Sequence, residues 1–472
     1  MVDQISELDT FFNPKTVAII GASDNYKFGY ATTKYLLDSN FKTYPVNIKK
    51  KEIHGHETYK NIIDIPDEIE LAIIIVANEK VLQAVKDCIK KNVKSIIIES
   101  AGFAETGIEK YIMLQDQIAE LAKSAKIRII GPNCIGVTNF YNKFTTADMD
   151  FDNVTKGNVS VIAQSGVLGN IFIDWAVDQG IGFSKTVTIG NKLDVDEIDL
   201  LEYLNHDPET KVITLYLEGT KRGKEFNRIL KIMKKPVIIL KNGRTEIGSR
   251  AVNSHTGSLA GDDKIYDAVF NQNQGIFRVE NFYEMFNTAN VFDSQPLPKG
   301  KNIAVITGSG SLGALACDEI EKQHLNLAKL SKTTINQIRA AIPNWVSIRG
   351  TIDLGPSLFE SFIPSTKAIF EDENVNGILY IFSVPRWPLQ MMGKMALKIV
   401  NEHFKLAMKL AWQYKKPFVC VCFGSRWTFE FLKKMSVSSD FNFKIPLMTR
   451  IKPAIKAFKF MYQYYHSLEV KN

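Results

Sequence analysis

The stretch of this sequence best equipped for chemistry is Lys241 to Asp262, whose only histidine, His255, stands in Ser254-His255-Thr256-Gly257-Ser258-Leu259-Ala260-Gly261. A neutral imidazole is a nucleophile able to carry a group covalently. Its neighbours Ser254, Thr256 and Gly257 bring hydroxyls and unhindered backbone N–H groups, the lining that phosphate-like anions prefer. The stretch follows a buried-strand run, Pro236 to Leu240, and precedes a helix-like Lys264 to Phe270, yet it has no apolar periodicity and reads as one long loop. Irregular segments longer than about 12 to 15 residues in compact domains are usually functional or disordered. Four glycines among small hydroxyl residues favour function.

Two other places offer groups that such a histidine needs. Val159 to Ile162 leads through Ala163-Gln164-Ser165-Gly166-Val167-Leu168-Gly169 into a helix. A strand, a small-residue turn and a helix aim free N–H groups and a positive helix end at an anion, making Gln164, Ser165 and Gly166 candidate phosphate binders. Glu218 closes the strand run Val212 to Leu217, on the ligand side of a parallel sheet. A carboxylate there can orient an imidazole and select its reactive tautomer; otherwise it is a solvated strand-end acid.

The elements that position these groups form three successive α/β units, with expected domains 1–150, 151–295 and 296–472. Polar Asp150-Phe151-Asp152-Asn153 and Pro296-Leu297-Pro298-Lys299-Gly300 mark the joints. Apolar runs such as Thr16 to Ile20, Leu71 to Val76, Ser95 to Ile98, Gly377 to Phe382 and Phe418 to Cys422 alternate with helical stretches, the pattern of doubly wound parallel sheets. Ligands of such sheets lie beyond the carboxyl ends of the strands. The first turn, Gly21-Ala22-Ser23 to Gly29, lacks Gly-x-Gly-x-x-Gly, and Asn47-Ile48-Lys49 stands where an NAD site places an acid. Cations there suit a phosphorylated ribose, as found in both NADP and coenzyme A. In the third unit Gly308-Ser309-Gly310-Ser311-Leu312-Gly313 does match the dinucleotide spacing, but the next strand candidate, Leu325 to Leu330, ends at Ser331-Lys332 without the ribose acid. We read it as a decoy.

The net charge of +7 is spread over many Lys-rich helices, which argues against a nucleic-acid partner and leaves anionic small molecules open. The five cysteines show no Cys-x-x-Cys spacing, implying reduced thiols rather than zinc. No run of about 18 apolar residues occurs, and Met1 to Asp9 is too polar for a signal peptide, so a cytoplasmic protein without a membrane partner is expected.

Taken in order, Gly21-Ala22-Ser23, Tyr44-Pro45-Val46-Asn47, Ser100-Ala101-Gly102-Phe103-Ala104-Glu105, Gly131-Pro132-Asn133-Cys134-Ile135-Gly136, Gln164-Ser165-Gly166, Gly190-Asn191-Lys192, Tyr216-Leu217-Glu218-Gly219 and the His255 segment resemble the α subunits of the ADP-forming acyl-CoA synthetases, relatives of succinyl-CoA synthetase. The resemblance covers nearly the whole chain. It implies a Rossmann-like CoA-binding domain followed by two flavodoxin-like domains. CoA is then expected near Gly21, Ala22, Ser23, Gly29, Asn47, Lys49, Val76, Ala77 and Asn78, and an acyl pocket at Asn133 and Cys134. By the same resemblance His255 is phosphorylated, Glu218 supports it, and acyl-CoA and phosphate are interconverted with acid and CoA through an acyl phosphate. No Gly-x-x-x-x-Gly-Lys-[Ser/Thr] loop is present, so the resemblance also implies an ATP-grasp β subunit that brings ATP/ADP and Mg2+, in an α2β2 assembly. The chain departs from the family pattern at Val76-Ala77-Asn78, Gly308-Ser309-Gly310-Ser311 and Gly350-Thr351-Ile352-Asp353. Two alternatives remain: a non-catalytic CoA-responsive regulatory protein, and an NAD(P)-dependent oxidoreductase. The sequence names neither the carboxylic acid nor the choice between ADP and GDP.

Overall fold

The apolar runs become parallel strands because their β-branched residues are buried on both faces. The computed structural model describes residues 2–147, 149, 151, 155–256, 262–348, 350–438 and 443–471. They fall into two compact units, Met1–Phe282 and Tyr283–Asn472.

The first unit holds two sheets. One is five-stranded and parallel, in the order Lys42–Val46, Thr16–Ile20, Leu71–Ile74, Ser95–Ile98, Arg128–Ile130. Its central residues, Val17 to Ile19 and Leu71 to Ile74, are fully buried between helices that include Tyr30–Asp38, Asn78–Lys90 and Glu109–Ala125. The opening segment, read only as too polar for a signal peptide, is a helix, Val2–Phe12. Leu8, Phe11 and Phe12, three and four residues apart, bury one face of it, and Phe12 stacks on Tyr203 at 5.0 Å.

The second sheet has seven strands in the order Ile276–Arg278, Val237–Lys241, Val212–Leu217, Lys156–Ala163, Phe183–Thr188, Gly136–Asn139, Phe144–Thr145. The first five are parallel and the last two join antiparallel. Those two lie upstream of the expected boundary at residue 150. One core, running from Phe11, Ile97 and Val137 to Ile162, Val187 and Leu215, connects both sheets, which is why they share a unit.

The second unit carries a parallel sheet in the order Asn326–Leu327, Asn302–Thr307, Gly377–Phe382, Phe418–Cys422, Leu447–Met448, with Ile352–Asp353 pairing Asn302–Thr307. The strand expected over Leu325 to Leu330 contracts to two residues. Gly310 opens the helix Gly310–Lys322, and a Cβ added there would lie 2.9 Å from Asp353 Oδ2. A carboxylate thus occupies the approach where a dinucleotide motif would receive pyrophosphate. All five cysteines are free thiols, and among the described residues no helix is long and apolar enough to cross a membrane.

Candidate functional site

Three adjacent strands of the second sheet bring two predicted residues, Gln164 and Glu218, and a third, Asn242, to one edge. Gln164 follows Lys156–Ala163, Glu218 follows Val212–Leu217, and Asn242 follows Val237–Lys241. Gln164 is buried, and its Oε1 accepts from the Glu218 N–H at 2.9 Å and the Gly219 N–H at 3.3 Å. This clamp fixes the turn that presents Glu218. Glu218 itself is only 5% exposed, not a solvated acid. Tyr216 donates to Glu218 Oε1 at 3.4 Å and accepts from Asn242 Nδ2 at 2.5 Å, and burial beside the Glu218 charge holds its phenol neutral. Ser165 and Gly166 lie at the start of helix Gly166–Asp178, whose first-turn N–H groups and positive end favour an anion. Gly169 lets this helix sit close, since a Cβ there would meet Thr188 Cγ2 at 2.4 Å.

The stretch read as one loop is largely a helix, Glu246–Thr256, which takes in Ser254, His255 and Thr256; Gly257 lies outside the described residues. Thr245 caps it, Oγ1 accepting from Gly248 N at 3.1 Å, and Arg250 pairs with Glu246 one turn away at 2.8 Å. Such a helix is stabilised by caps and pairs and not by an apolar stripe, and Ile247 is 79% exposed. A search for apolar periodicity therefore misses it. The helix lies against the turn Ala104–Thr106. Lys241, at its root, is buried, donates to the Asn242 carbonyl and sits 4.6 Å over the Tyr266 ring. Burial, the largest cause, lowers its pKa to about 8.

A second feature lies at the carboxyl edge of the first sheet, a cavity of about 740 Å3. Gly21, Ala22, Asn47, Lys49, Val76 and Ala77 line it, and Lys27, Lys60 and Lys80 add cations. Gly21 has φ of +96°, and a Cβ would fall 2.2 Å from the Ile75 carbonyl oxygen, so only glycine lets the first turn close over the third strand. Asn47 ties the rim together: Nδ2 donates to the Ala22 carbonyl at 2.9 Å, and Oδ1 accepts from Lys49 N at 2.8 Å. The cavity's size, its glycine floor and its lysines suit a nucleotide-like polyanion.

Residues 15–139 match the CoA binding domain family, and residues 156–292 match the succinyl-CoA ligase like flavodoxin domain family. The subunit alpha of acetate–CoA ligase (ADP-forming) II from Pyrococcus furiosus is 42% identical over 386 residues, 80% of this chain and 83% of that protein. The chain belongs to the α subunits of the ADP-forming acetate–CoA ligases. The ADP-forming acetate–CoA ligase of Methanocaldococcus jannaschii is 44% identical over 352 residues, 74% of this chain, and the match spans about half, 49%, of that longer protein. The structure of dinucleotide forming acetyl-coenzyme A synthetase 1 of Ca. Korarchaeum cryptofilum in complex with phosphate and ADP has a TM-score of 0.86 at 29% identity, over 98% of each chain.

For an ADP-forming acetate–CoA ligase α subunit, the remaining predicted residues sort by position. Ser23, Gly29 and Asn78 shape turns around the CoA-domain cavity. Ser23 Oγ accepts from Asn25 N at 3.1 Å, Gly29 precedes helix Tyr30–Asp38 with φ of +84°, and Asn78 Nδ2 donates to the Gly102 carbonyl at 2.5 Å. Cys134 is buried, and its thiol donates to the Ile98 carbonyl at 3.3 Å, which turns it into the core; burial pushes its pKa up. Asn133, with φ of +60°, touches Asn191, Nδ2 donating to Oδ1 at 3.4 Å. Sequence reasoning assigned no role to Lys192, Gln115 or Lys241. Lys192 stands in a triplet that carries the family resemblance, but its burial and its pairing with Glu197, five residues on, and with the distant Gly219 carbonyl come only with the fold.

Proposed function

We propose that this chain is the α subunit of an ADP-forming acyl-CoA synthetase, interconverting acyl-CoA, ADP and phosphate with carboxylic acid, CoA and ATP. CoA sits in the lysine-rimmed cavity of the first sheet. A phosphate oxygen attacks the thioester carbonyl, the C–S bond breaks, and the CoA sulfur leaves as thiolate. The His255 imidazole nitrogen then attacks phosphorus, the P–O bond to the acyl group breaks, and the carboxylate departs. Glu218 holds the imidazole in its reactive tautomer and balances the phosphoimidazole. Finally the phosphoryl group passes to an ADP oxygen on a partner β subunit of the ATP-grasp type, which also supplies Mg2+. We propose an α2β2 assembly, in the cytoplasm.

The observation that carries this reading is the Gln164 clamp, which holds a buried carboxylate at the strand edge beside the start of helix Gly166–Asp178. A solvated structural acid requires no such clamp. The test is to incubate the purified chain with acyl-CoA and 32P-phosphate, or with 32P-acyl phosphate, and to look for an acid-labile label that disappears in His255→Ala. CoA binding without label under every condition, including with the ATP-grasp partner present, sinks the proposal and leaves a regulatory CoA-binding protein.

A further inference from the structure

Beside Gln164 lies a second, smaller cavity of about 350 Å3, walled by both sheets of the first unit. We infer that it seats the acyl group of a short carboxylic acid, with Lys192 meeting the acyl oxygen and Ile112 setting the length accepted. This inference rests on the phosphoryl relay proposed above and names its acyl site.

Four observations support it. The volume lies at the low end of small-molecule sites, about 300 to 1,000 Å3, which suits a short acid. Lys192 lines the cavity with an almost wholly buried side chain, its Nζ donating to Glu197 Oε2 at 3.0 Å and to the Gly219 carbonyl at 2.6 Å. An ammonium has three donors, so one is left among the described residues for a ligand oxygen. Gly219 is the residue whose N–H, with that of Glu218, Gln164 holds, so one turn links the cavity cation to the supporting glutamate.

The lining next to Lys192 is equally fixed. Asn191 Nδ2 donates to Glu105 Oε2 at 2.6 Å and to Gln115 Oε1 at 2.8 Å, while Glu105 Oε1 accepts from Gly102 N at 2.6 Å. Gly190 has φ of +56°, and a Cβ there would lie 2.2 Å from the Pro132 carbonyl oxygen, so the strand-end turn presses onto the first sheet's last turn. Ala104, in the lining, belongs to the same turn that the helix bearing His255 lies against. Ile112, 37% exposed, is the large apolar side chain of the lining, which is why the length limit is assigned to it.

The chemistry balances. As the bond from the imidazole nitrogen to phosphorus forms, the P–O bond to the acyl group breaks, and its electron pair passes to the acyl oxygen. That oxygen becomes the carboxylate, and the Lys192 ammonium supplies the countercharge where it develops.

The test uses the 472-residue chain and 32P-labelled acetyl and butyryl phosphates, with His255 labelling as readout and CoA binding by calorimetry as control. Ile112→Ala is expected to raise the butyryl-to-acetyl rate ratio at least fivefold, Ile112→Phe to lower it, and neither to change CoA affinity. Lys192→Met is expected to raise the half-saturating acetyl phosphate at least tenfold; because it strands buried Glu197, the two Ile112 variants, on a partly exposed helix face, keep the test decisive. An unchanged length ratio in both Ile112 variants, with wild-type labelling intact, overturns the acyl pocket and leaves the relay standing. No label on the wild-type chain from either acyl phosphate overturns the relay and the pocket with it.

Discussion

Glu218 works through its neighbours. Its turn is held by the Gln164 amide oxygen, and its carboxylate is touched by the Tyr216 hydroxyl. Replacing Glu218 by Gln keeps the shape but removes the charge that, in the proposed relay, stabilises a loaded imidazole. The expected loss is roughly 100-fold or more in phosphoryl turnover, in line with neutralising other histidine-orienting carboxylates, with CoA affinity unchanged by calorimetry. Gln164→Ala strands two buried N–H groups, each worth about 1 to 3 kcal/mol. A lower Tm together with a lower labelling rate is expected; an unchanged Tm would mean the clamp does not hold the turn. That Gln164 and Glu218 meet was legible in the sequence, because each follows a strand run at the ligand side of the sheet. The burial of Lys192 and Lys241 was not, since nothing local distinguishes a buried lysine from the many solvated ones.

At the scale of elements, strands were easier to read than helices with polar faces. Thr16–Ile20, Val212–Leu217 and Phe418–Cys422 emerge with the expected bounds, because continuous apolar runs rich in β-branched residues have few other fates. Gly136–Asn139 and Phe144–Thr145 escaped notice: they are short, and their pairing to Phe183–Thr188 is a long-range contact. Glu246–Thr256 escaped for a different reason, being held by its cap and an exposed ion pair. Thr245→Ala should therefore destabilise it by about 1 kcal/mol. The measurement is hydrogen exchange of the amides of 249–252, where a faster rate is expected while the strand Val237–Lys241 keeps its protection.

Across the whole molecule each unit has its own electrostatic weakness. In Tyr283–Asn472, His403 is buried and stacked on Phe362 at 4.5 Å. Burial lowers its pKa from 6.5 to about 4. Below pH 6.5 the unfolded chain therefore binds a proton that the folded one refuses, and stability falls between pH 6.5 and 4. His403→Leu should flatten that acid limb in a pH series of urea unfolding curves; an unaltered limb would assign the acid sensitivity elsewhere. In Met1–Phe282, Arg128 from the first sheet bonds Asp194 at 2.9 Å and approaches Asp199 at 3.6 Å beyond the second. Arg128→Met removes the cation bonded to Asp194, while Asp199 keeps Arg222 at 3.2 Å, and a loss of about 1 to 3 kcal/mol is expected, read as a lower Tm. The three-sheet series was legible from alternation alone, whereas the shared core of the first two sheets was not, because it depends on which faces meet.

The helix Glu246–Thr256 also sets a distance. Eleven residues at about 1.5 Å each make a rod roughly 16 Å long, with Gly243, at φ of +72°, just before its root. Pivoting such a rod by about 60° carries its tip through a chord of roughly its own length. Stride, on this view, is set by how many residues separate Gly243 from His255. Under the proposed relay, adding one helical turn between Thr245 and His255 should misplace the phosphoryl group at both ends of its path, so that His255 labelling from acyl phosphate and transfer onward to ADP fall together.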